Sequence, residues 1–529
     1  MMEEYSVVGK RLPLKDAPEK VTGRAQFTAD LKLPGILYAK ILRSPYAHAK
    51  VLRVDTSKAE KLPGVKAVLS KNNAPRVQIP VSFDMPRDKY TFDDKVRYVG
   101  DEVAAVAAVS KKTAEEALQL IKVEYEELPA VFDLEEAIKP GAPVIHENKA
   151  NNIAGTIKKG FGDVEMGFRE ADLILEDTFR TASQRHASME THVASAAFDA
   201  TGKLTVWTPT QIPFQLQALL AEYLSIPMSK VRVIKTYVGG AFGGKADMLL
   251  EHVCALLAKM TGRPVQLVLS REEEFTATLC RHAQVIRLKM GVKKDGTITA
   301  IEAHALGNVG AYMYKGFIIM GITGNNFVGV YRCPNTKYEG HCVYTNLMSS
   351  GALRGMGNPQ GYFALESMVD MICEKFGIDP VEFHAKNYKK VGEIGRAGFP
   401  ITSSGFAECL ARGTELIGWR DRWEPREEHC VTKHGTGMAC VVHGSGPRPS
   451  SASHSTAIVK VNEDGTAHLF TGAADLGTGC NTTLAQIVAE ELGLSLDAVG
   501  ITAADTDSTP FDKGVIASST VYVAGGAAK

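Results

Sequence analysis

Four glycines flank one phenylalanine in the segment VGGAFGGK, residues 238–245. Glycine has no Cβ, so main-chain N–H groups in such a loop approach a bound anion closely, and a helix opening just beyond adds a favourable dipole. Gly239, Gly244 and Lys245 match the spacing of a phosphate-binding loop, but the next residue is Ala246. Magnesium-nucleotide chemistry requires a Ser or Thr hydroxyl there, so the nucleotide reading fails at an essential atom. For this loop alone, a glycine turn around one buried phenylalanine is the simpler alternative.

Three other segments carry polar groups in positions that could bind a ligand. QRHASMETH, residues 184–192, concentrates hydrogen-bonding side chains, including Gln184. Its histidines are not at the i, i+4 spacing of a helical zinc pair, and buried, satisfied polar residues account for it equally. GALRGMGNPQ, residues 351–360, sets Arg354 among glycines before a helix. A guanidinium held there suits a carboxylate, carbonyl or phosphate oxygen, although a surface turn explains the pattern too. DLGTGCNTT, residues 475–483, opens another helix with a Gly/Thr/Asn loop, which is either an anion cradle or an ordinary helix cap.

The elements that must position these loops are mixed helix and strand, giving an α+β (mixed α/β) fold class. Residues 1–150 read as a small α/β domain, with a buried strand at Val103–Val109, a helix over Thr113–Ile121 and β-rich text at 121–132. Residues 139–152, rich in Pro, Gly and Asn, read as a linker. A larger region at 160–425 holds helices at 215–224, 249–260 and 361–376 and strands at 204–209 and 231–235. In the last of these helices Phe363, Met368, Met371, Ile372 and Phe376 define one face, and Asp379-Pro380 follows its end. Charged residues 420–433 read as a connection. A third unit spans 434–529, with strands near 455–461 and 467–471 and a helix at 482–492.

Composition narrows the function classes. Sixty basic residues cancel sixty acidic ones over 529 residues, so a nucleic-acid partner is not expected. No apolar run reaches the length of a membrane span, and the N-terminal text has no apolar signal core, which points to a cytoplasmic protein. Nine cysteines lie scattered with no C-x-x-C pair and none before Cys254. Iron–sulfur clusters and zinc ribbons need closely spaced thiolates, and no dinucleotide fingerprint is evident, so neither Fe–S nor FAD is expected on this chain.

Taken together and in order, the four motifs resemble the molybdopterin subunit of the xanthine dehydrogenase/aldehyde oxidase family. The resemblance extends through DAPEKVTG (16–23), RSPYAH (43–48), LPGV (62–65), VRYVG (96–100) and VEYEELP (123–129), which match the family's a/b hammerhead domain. SREEEFTAT (270–278) with RHA (281–283), and DTDSTPFD (505–512), are most similar to bacterial xanthine dehydrogenase subunits.

The resemblance implies 1–150 as hammerhead domain, 160–425 as first molybdopterin-binding domain and 434–529 as the N-terminal part of a second. It implies a molybdenum–molybdopterin cofactor, in plain or cytosine dinucleotide form. The implied activity is oxidation of a purine or other N-heteroaromatic with water-derived oxygen, with electrons passing to iron–sulfur and FAD partner subunits. An aldehyde oxidoreductase, a 4-hydroxybenzoyl-CoA reductase-type subunit and a non-catalytic scaffold are the alternatives.

Carried over by position, Gln184 and Phe242 stand beside the ligands of molybdenum, with Gly240 and Gly243 packing main chain there. Arg354 faces substrate and stabilises developing charge; Ala246 lines the substrate pocket with it. Leu476, Gly477, Thr478, Ala517, Ser518 and Ser519 contact the pterin. Three positions depart from the family text: Ala246 replaces a common acidic or amide residue, Thr478 replaces a glutamine, and His384-Ala-Lys-Asn387 replaces R-x-x-N. His384 is carried as a further candidate metal contact. The family's catalytic base, a glutamate in a Gly-rich motif, has no counterpart before Lys529. The expectation is therefore that a further segment or a separate chain completes the second molybdenum domain.

Overall fold

The computed structural model of the chain describes residues 5–81, 85–396, 398–422, 432, 435–445 and 454–529. Its centre is a seven-stranded sheet in the order Val231–Lys235, Leu204–Thr208, Val193–Phe198, Val265–Val268, Leu37–Arg43, Glu102–Ala108 and Val65–Ser70. The Val-Ala-rich text at 103–109 forms the fully buried strand Glu102–Ala108. Alternation along that strand explains its composition. Ala105 and Ala107 pack toward the cluster that includes helix Glu251–Thr261, whereas Ala104, Val106 and Ala108 pack toward helix Lys111–Leu120. Methyl side chains let helices sit close on both faces.

This sheet crosses the expected boundary between 150 and 160. Leu37–Ala39 pairs in parallel with Val265–Leu267, so strands from the first unit and the second share one hydrogen-bonded ladder. A five-stranded sheet follows, in the order Ile153–Phe161, Thr336–Tyr344, Ile298–Gly310, Gln284–Val292 and Leu173–Thr181. Helices Gly316–Gly329 and Asn358–Phe376 pack against it. The third unit joins Ala457–Val461, Ala467–Thr471 and Val499–Ala503 to helices Cys480–Leu492 and Thr520–Ala528.

Two sequence expectations are corrected. Residues 139–152 are not a linker: Asn152 is fully buried, accepts the Ile145 N–H at 3.1 Å and donates to the Ala137 and Pro143 carbonyls at 2.9 Å. His146 in the same loop holds the Ala311 carbonyl at 2.8 Å. Phe363 does not share the buried face of Met368 and Ile372; it is half exposed and meets Phe179 edge-on. Most of the charged connection at 420–433, and His434, lie outside the described residues.

Candidate functional site

The glycine loop follows strand Val231–Lys235 and is built from left-handed backbone. Gly240, Phe242 and Gly243 have φ of 99°, 51° and 107°. A left-handed conformation is natural for glycine but costs a phenylalanine on the order of 1–3 kcal/mol, and such strain persists where the surroundings impose it. Those surroundings are the 351–360 motif: the Arg354 N–H donates to the Phe242 carbonyl at 3.0 Å. A Cβ on Gly243 would stand 2.5 Å from the Ala352 carbonyl oxygen, so only glycine permits the two loops to close. The Phe242 ring remains 44% exposed, and the exposed Arg354 guanidinium lies 5.3 Å from its centroid.

Gln184 joins them through Arg281. Arg281 Nε donates to Gln184 Oε1 at 3.0 Å, and its Nη2 donates to the Arg354 carbonyl at 2.8 Å. The Arg281 main-chain N–H also meets the Gln184 carbonyl at 2.8 Å. Burial lowers the Arg281 pKa, and its Nη1 is buried with no protein partner. Gln184, Phe242 and Arg354, from three separate segments of the chain, therefore form one hydrogen-bonded unit through Arg281, with Gly243 packed against Ala352 beside it.

The rest of the 184–192 segment supports this unit from behind. His186 Nε2 donates to the Ala352 carbonyl at 2.7 Å, and burial lowers its pKa, keeping it neutral. His192 bridges the Glu274 carboxylate at 2.9 Å and the Gly244 carbonyl at 3.0 Å. Both histidines are thus structural, as the alternative reading of that motif holds. Ala246 is separated from the exposed set. It is buried, with its carbonyl accepting the Lys315 ammonium at 2.5 Å, and Lys315 pairs with Asp247 at 2.7 Å.

In the third unit, Asp475 organises the Leu476–Thr478 loop. Its carboxylate accepts N–H groups from Gly477, Asn481 and Gly479 at 2.8, 3.0 and 3.2 Å. These bonds cap helix Cys480–Leu492 from within the loop, the helix-cap alternative for this motif. They also depress the Asp475 pKa against the upward pull of burial. Gly477 has φ of 94° and open space where a Cβ would project. Ala517 and Ser518 are both left-handed, each with φ of 53°, and both are exposed; Ser519 begins helix Thr520–Ala528 with its hydroxyl on Ile516.

His384 is corrected as a metal contact. Its ring lies in the core, 3.0 Å from the Tyr331 hydroxyl and 3.4 Å from Glu366. Among the described residues no group of three His, Cys, Asp or Glu side chains could hold a metal. The described cysteines are unpaired, and burial pushes the thiols of Cys333, Cys342 and Cys373 up to about 12.

Sequence reasoning missed Arg281, Gln211, Glu190 and His443 as residues that shape the site. Asn358, four residues beyond Arg354, donates to His443 at 2.7 Å, and His443 lies 3.5 Å from the Ser518 hydroxyl. Glu190 lies within the 184–192 motif without standing out there, and nothing in the local patterns of the other three distinguishes them.

Known family models match most of the chain. Residues 22–129 match the aldehyde oxidase and xanthine dehydrogenase a/b hammerhead domain, and residues 145–388 and 412–529 match two molybdopterin cofactor-binding domains. The xanthine dehydrogenase molybdenum-binding subunit of Escherichia coli O157:H7 is 37% identical over 522 residues, covering 96% of this chain and 69% of that one. This chain belongs to the xanthine dehydrogenase/aldehyde oxidase family of molybdenum-cofactor-binding subunits.

Proteins named for other substrates are similar as well. The nicotinate dehydrogenase large molybdopterin subunit of Eubacterium barkeri is 36% identical over 419 residues, covering 78% of this chain and 97% of that one. The quinoline 2-oxidoreductase of Pseudomonas putida 86 superposes with a TM-score of 0.89 at 27% identity, covering 99% of this chain and 70% of that one. The aldehyde oxidoreductase of Desulfovibrio gigas gives 0.89 at 27% identity, covering 98% and 59%. The chain is thus a molybdenum-dependent, xanthine dehydrogenase-type oxidoreductase subunit carrying molybdopterin-binding domains. Among the described residues no helix is long and apolar enough to cross a membrane.

The residues present fit such a cofactor. An orphaned buried donor, Arg281 Nη1, lies at the joined Gln184–Arg354 unit. Phe242, Gly477 and Ser518 are exposed residues in left-handed conformation, a backbone geometry that lets a loop close round a bound polar group.

Proposed function

We propose that this chain holds molybdopterin between the 240–243 loop and the 476–478 and 517–519 loops, and hydroxylates an N-heteroaromatic ring. The observation that carries this reading is the Arg281 fork, which ties Gln184 to Arg354 beside the exposed face of Phe242. The balanced reaction converts a ring C–H and one water into C–OH, two protons and two electrons.

When bound, the cofactor supplies the two-electron redox chemistry and activates the water-derived oxygen. Gln184 offers its carboxamide to an oxygen at the metal end, Phe242 and Gly243 seat that end on main chain, and Arg354 stabilises negative charge growing on the substrate ring. Leu476, Gly477, Thr478, Ala517, Ser518 and Ser519 hold the pterin, in plain or cytosine dinucleotide form. The proton acceptor is assigned to no residue of 1–529. Electrons leave to iron–sulfur and FAD partner subunits in the cytoplasm, since the cysteine spacing of this chain offers no cluster site.

The Ala246 side chain is buried, so it is not counted among the groups that choose between xanthine and another N-heteroaromatic. The test is the co-purified complex, assayed for molybdenum by elemental analysis and for turnover on nicotinate, quinoline, hypoxanthine, xanthine and benzaldehyde. Molybdenum near one per chain and preference for a ring nitrogen heterocycle support the reading. Turnover of benzaldehyde alone, or absence of molybdenum from the complex, overturns it.

A further inference from the structure

Gln211 uses all four of its polar positions, and divides them evenly between two of the loops described above. Its main-chain N–H donates to the Lys245 carbonyl at 2.9 Å, and its side-chain Oε1 accepts the Gly243 N–H at 2.9 Å. On the other side, its Nε2 donates to the Val515 carbonyl at 3.0 Å, and its own carbonyl accepts the Val515 N–H at 2.9 Å. The residue is only 5% exposed. Close approach is enforced next door: Gly514 has φ of 108°, and a Cβ there would lie 2.9 Å from the Gln211 carbonyl and 2.8 Å from Ile212 Cγ2.

We infer that Gln211 is a positioning residue that sets the separation between the Phe242–Gly243 main chain and the 517–519 loop, and with it the seat of the cofactor between the second and third units. The inference rests on the cofactor placement proposed above. Only an amide meets the requirement, because one end must accept from Gly243 and the other must donate to Val515. A buried side chain with both ends satisfied transmits displacement of one loop to the other, whereas the neighbouring contact, Gln215 Nε2 to the Lys513 carbonyl at 3.0 Å, touches the third unit without reaching the glycine loop.

The test uses the full complex with Gln211→Met, Gln211→Glu and, as control, Gln215→Met. Methionine keeps length and volume but neither hydrogen bond; glutamate keeps the acceptor for Gly243 and loses the donor to Val515. The readouts are molybdenum and pterin content, the Mo(V) electron paramagnetic resonance signal, kcat and KM separately, and hydrogen exchange at the Gly243 and Val515 amides. We expect Gln211→Met to alter the Mo(V) signal and to lower kcat on the order of 100-fold with KM within about threefold, as small displacements of reacting groups do. Gln211→Glu should fall between it and the wild type, and Gln215→Met should leave the signal unchanged.

A wild-type signal and kcat in Gln211→Met at full molybdenum occupancy overturns the inference. So does an equal loss in Gln215→Met, which would mark general docking. If Gln211→Met does not fold, the Gln211→Glu signal decides. Should the wild-type complex contain no molybdenum, the proposed function fails; faster exchange at both amides in the variant would then still support the clamp, and unchanged exchange would overturn it.

Discussion

A single oxygen of Glu190 joins the two ends of the glycine loop through Lys245: Glu190 Oε2 takes the Lys245 ammonium at 2.6 Å and the Gly239 N–H at 2.9 Å. The lysine is buried, and the desolvation that lowers its pKa is opposed by that carboxylate. Lys245 therefore braces the loop from inside and does not point at a phosphate, the role its spacing first suggests.

Breaking this pair should be costly and cooperative. Lys245→Met leaves a mostly buried carboxylate without its cation, a change worth about 3–5 kcal/mol where burial is complete. We expect the single variant of the complex to lose stability and molybdenum, and Glu190→Gln/Lys245→Met to recover a large part of the stability. Denaturant unfolding across the double-mutant cycle measures it, and additive losses would show that the two groups do not act as a pair.

Arg354→Ala should lower turnover far more than stability. The guanidinium is exposed and its main-chain bond to Phe242 survives the change. Loss of one electrostatic donor costs about 2–4 kcal/mol in the transition state. Steady-state kinetics at matched molybdenum content, beside a thermal melt, tests this; less than a threefold fall in kcat would count against a role at the substrate.

Arg281→Lys should behave as a damaging exchange although it keeps the charge. A lysine has one nitrogen and cannot reach both Gln184 Oε1 and the Arg354 carbonyl. Each hydrogen bond of a charged donor is worth about 1.5–3 kcal/mol, so loss of one arm predicts a drop in kcat/KM of roughly tenfold to a hundredfold. Activity within twofold of wild type, with cofactor retained, would place the fork outside the reaction.

Glu366 predicts a pH dependence of stability. Burial raises its pKa from 4.5 to about 7, while burial holds His384 near 4, so the two meet at neutral pH without an ion pair. A carboxyl that is harder to ionise in the folded state contributes its stability fully below the unfolded value. That contribution is lost as pH rises from about 4.5 to about 7, up to about 3 kcal/mol in all. The complex carrying Glu366→Gln should therefore lose less stability than wild type between pH 5 and pH 8 in thermal melts. Parallel curves for the two proteins would contradict the assignment.

What the sequence reveals of this site is its local part. Phe242, Gly243 and Arg354 stand in glycine-bounded motifs because left-handed backbone and close loop contact demand glycine nearby, and that demand leaves a visible pattern. Arg281 and Gln211 leave none. Their partners are distant in the chain, and an Arg before His-Ala or a Gln after Pro-Thr has no periodicity to betray a role. The same limit explains residues 139–152: Pro, Gly and Asn are common to flexible connections and to tight buried turns, and only the three bonds of the Asn152 side chain tell them apart. His384 failed as a metal contact because a lone histidine on a helix also suits a core packed with tyrosines.

The shared ladder between Leu37–Ala39 and Val265–Leu267 has a bearing on synthesis of the chain. The first strand leaves the ribosome roughly 230 residues before its parallel partner, a wait of roughly 10–45 s at ordinary elongation rates. Through that interval one edge of the nascent hammerhead, flanked by Glu102–Ala108 on its other side only, presents unpaired main chain to solvent. Chaperone occupancy on ribosome-bound chains should accordingly peak before residue 268 is exposed and fall once it is.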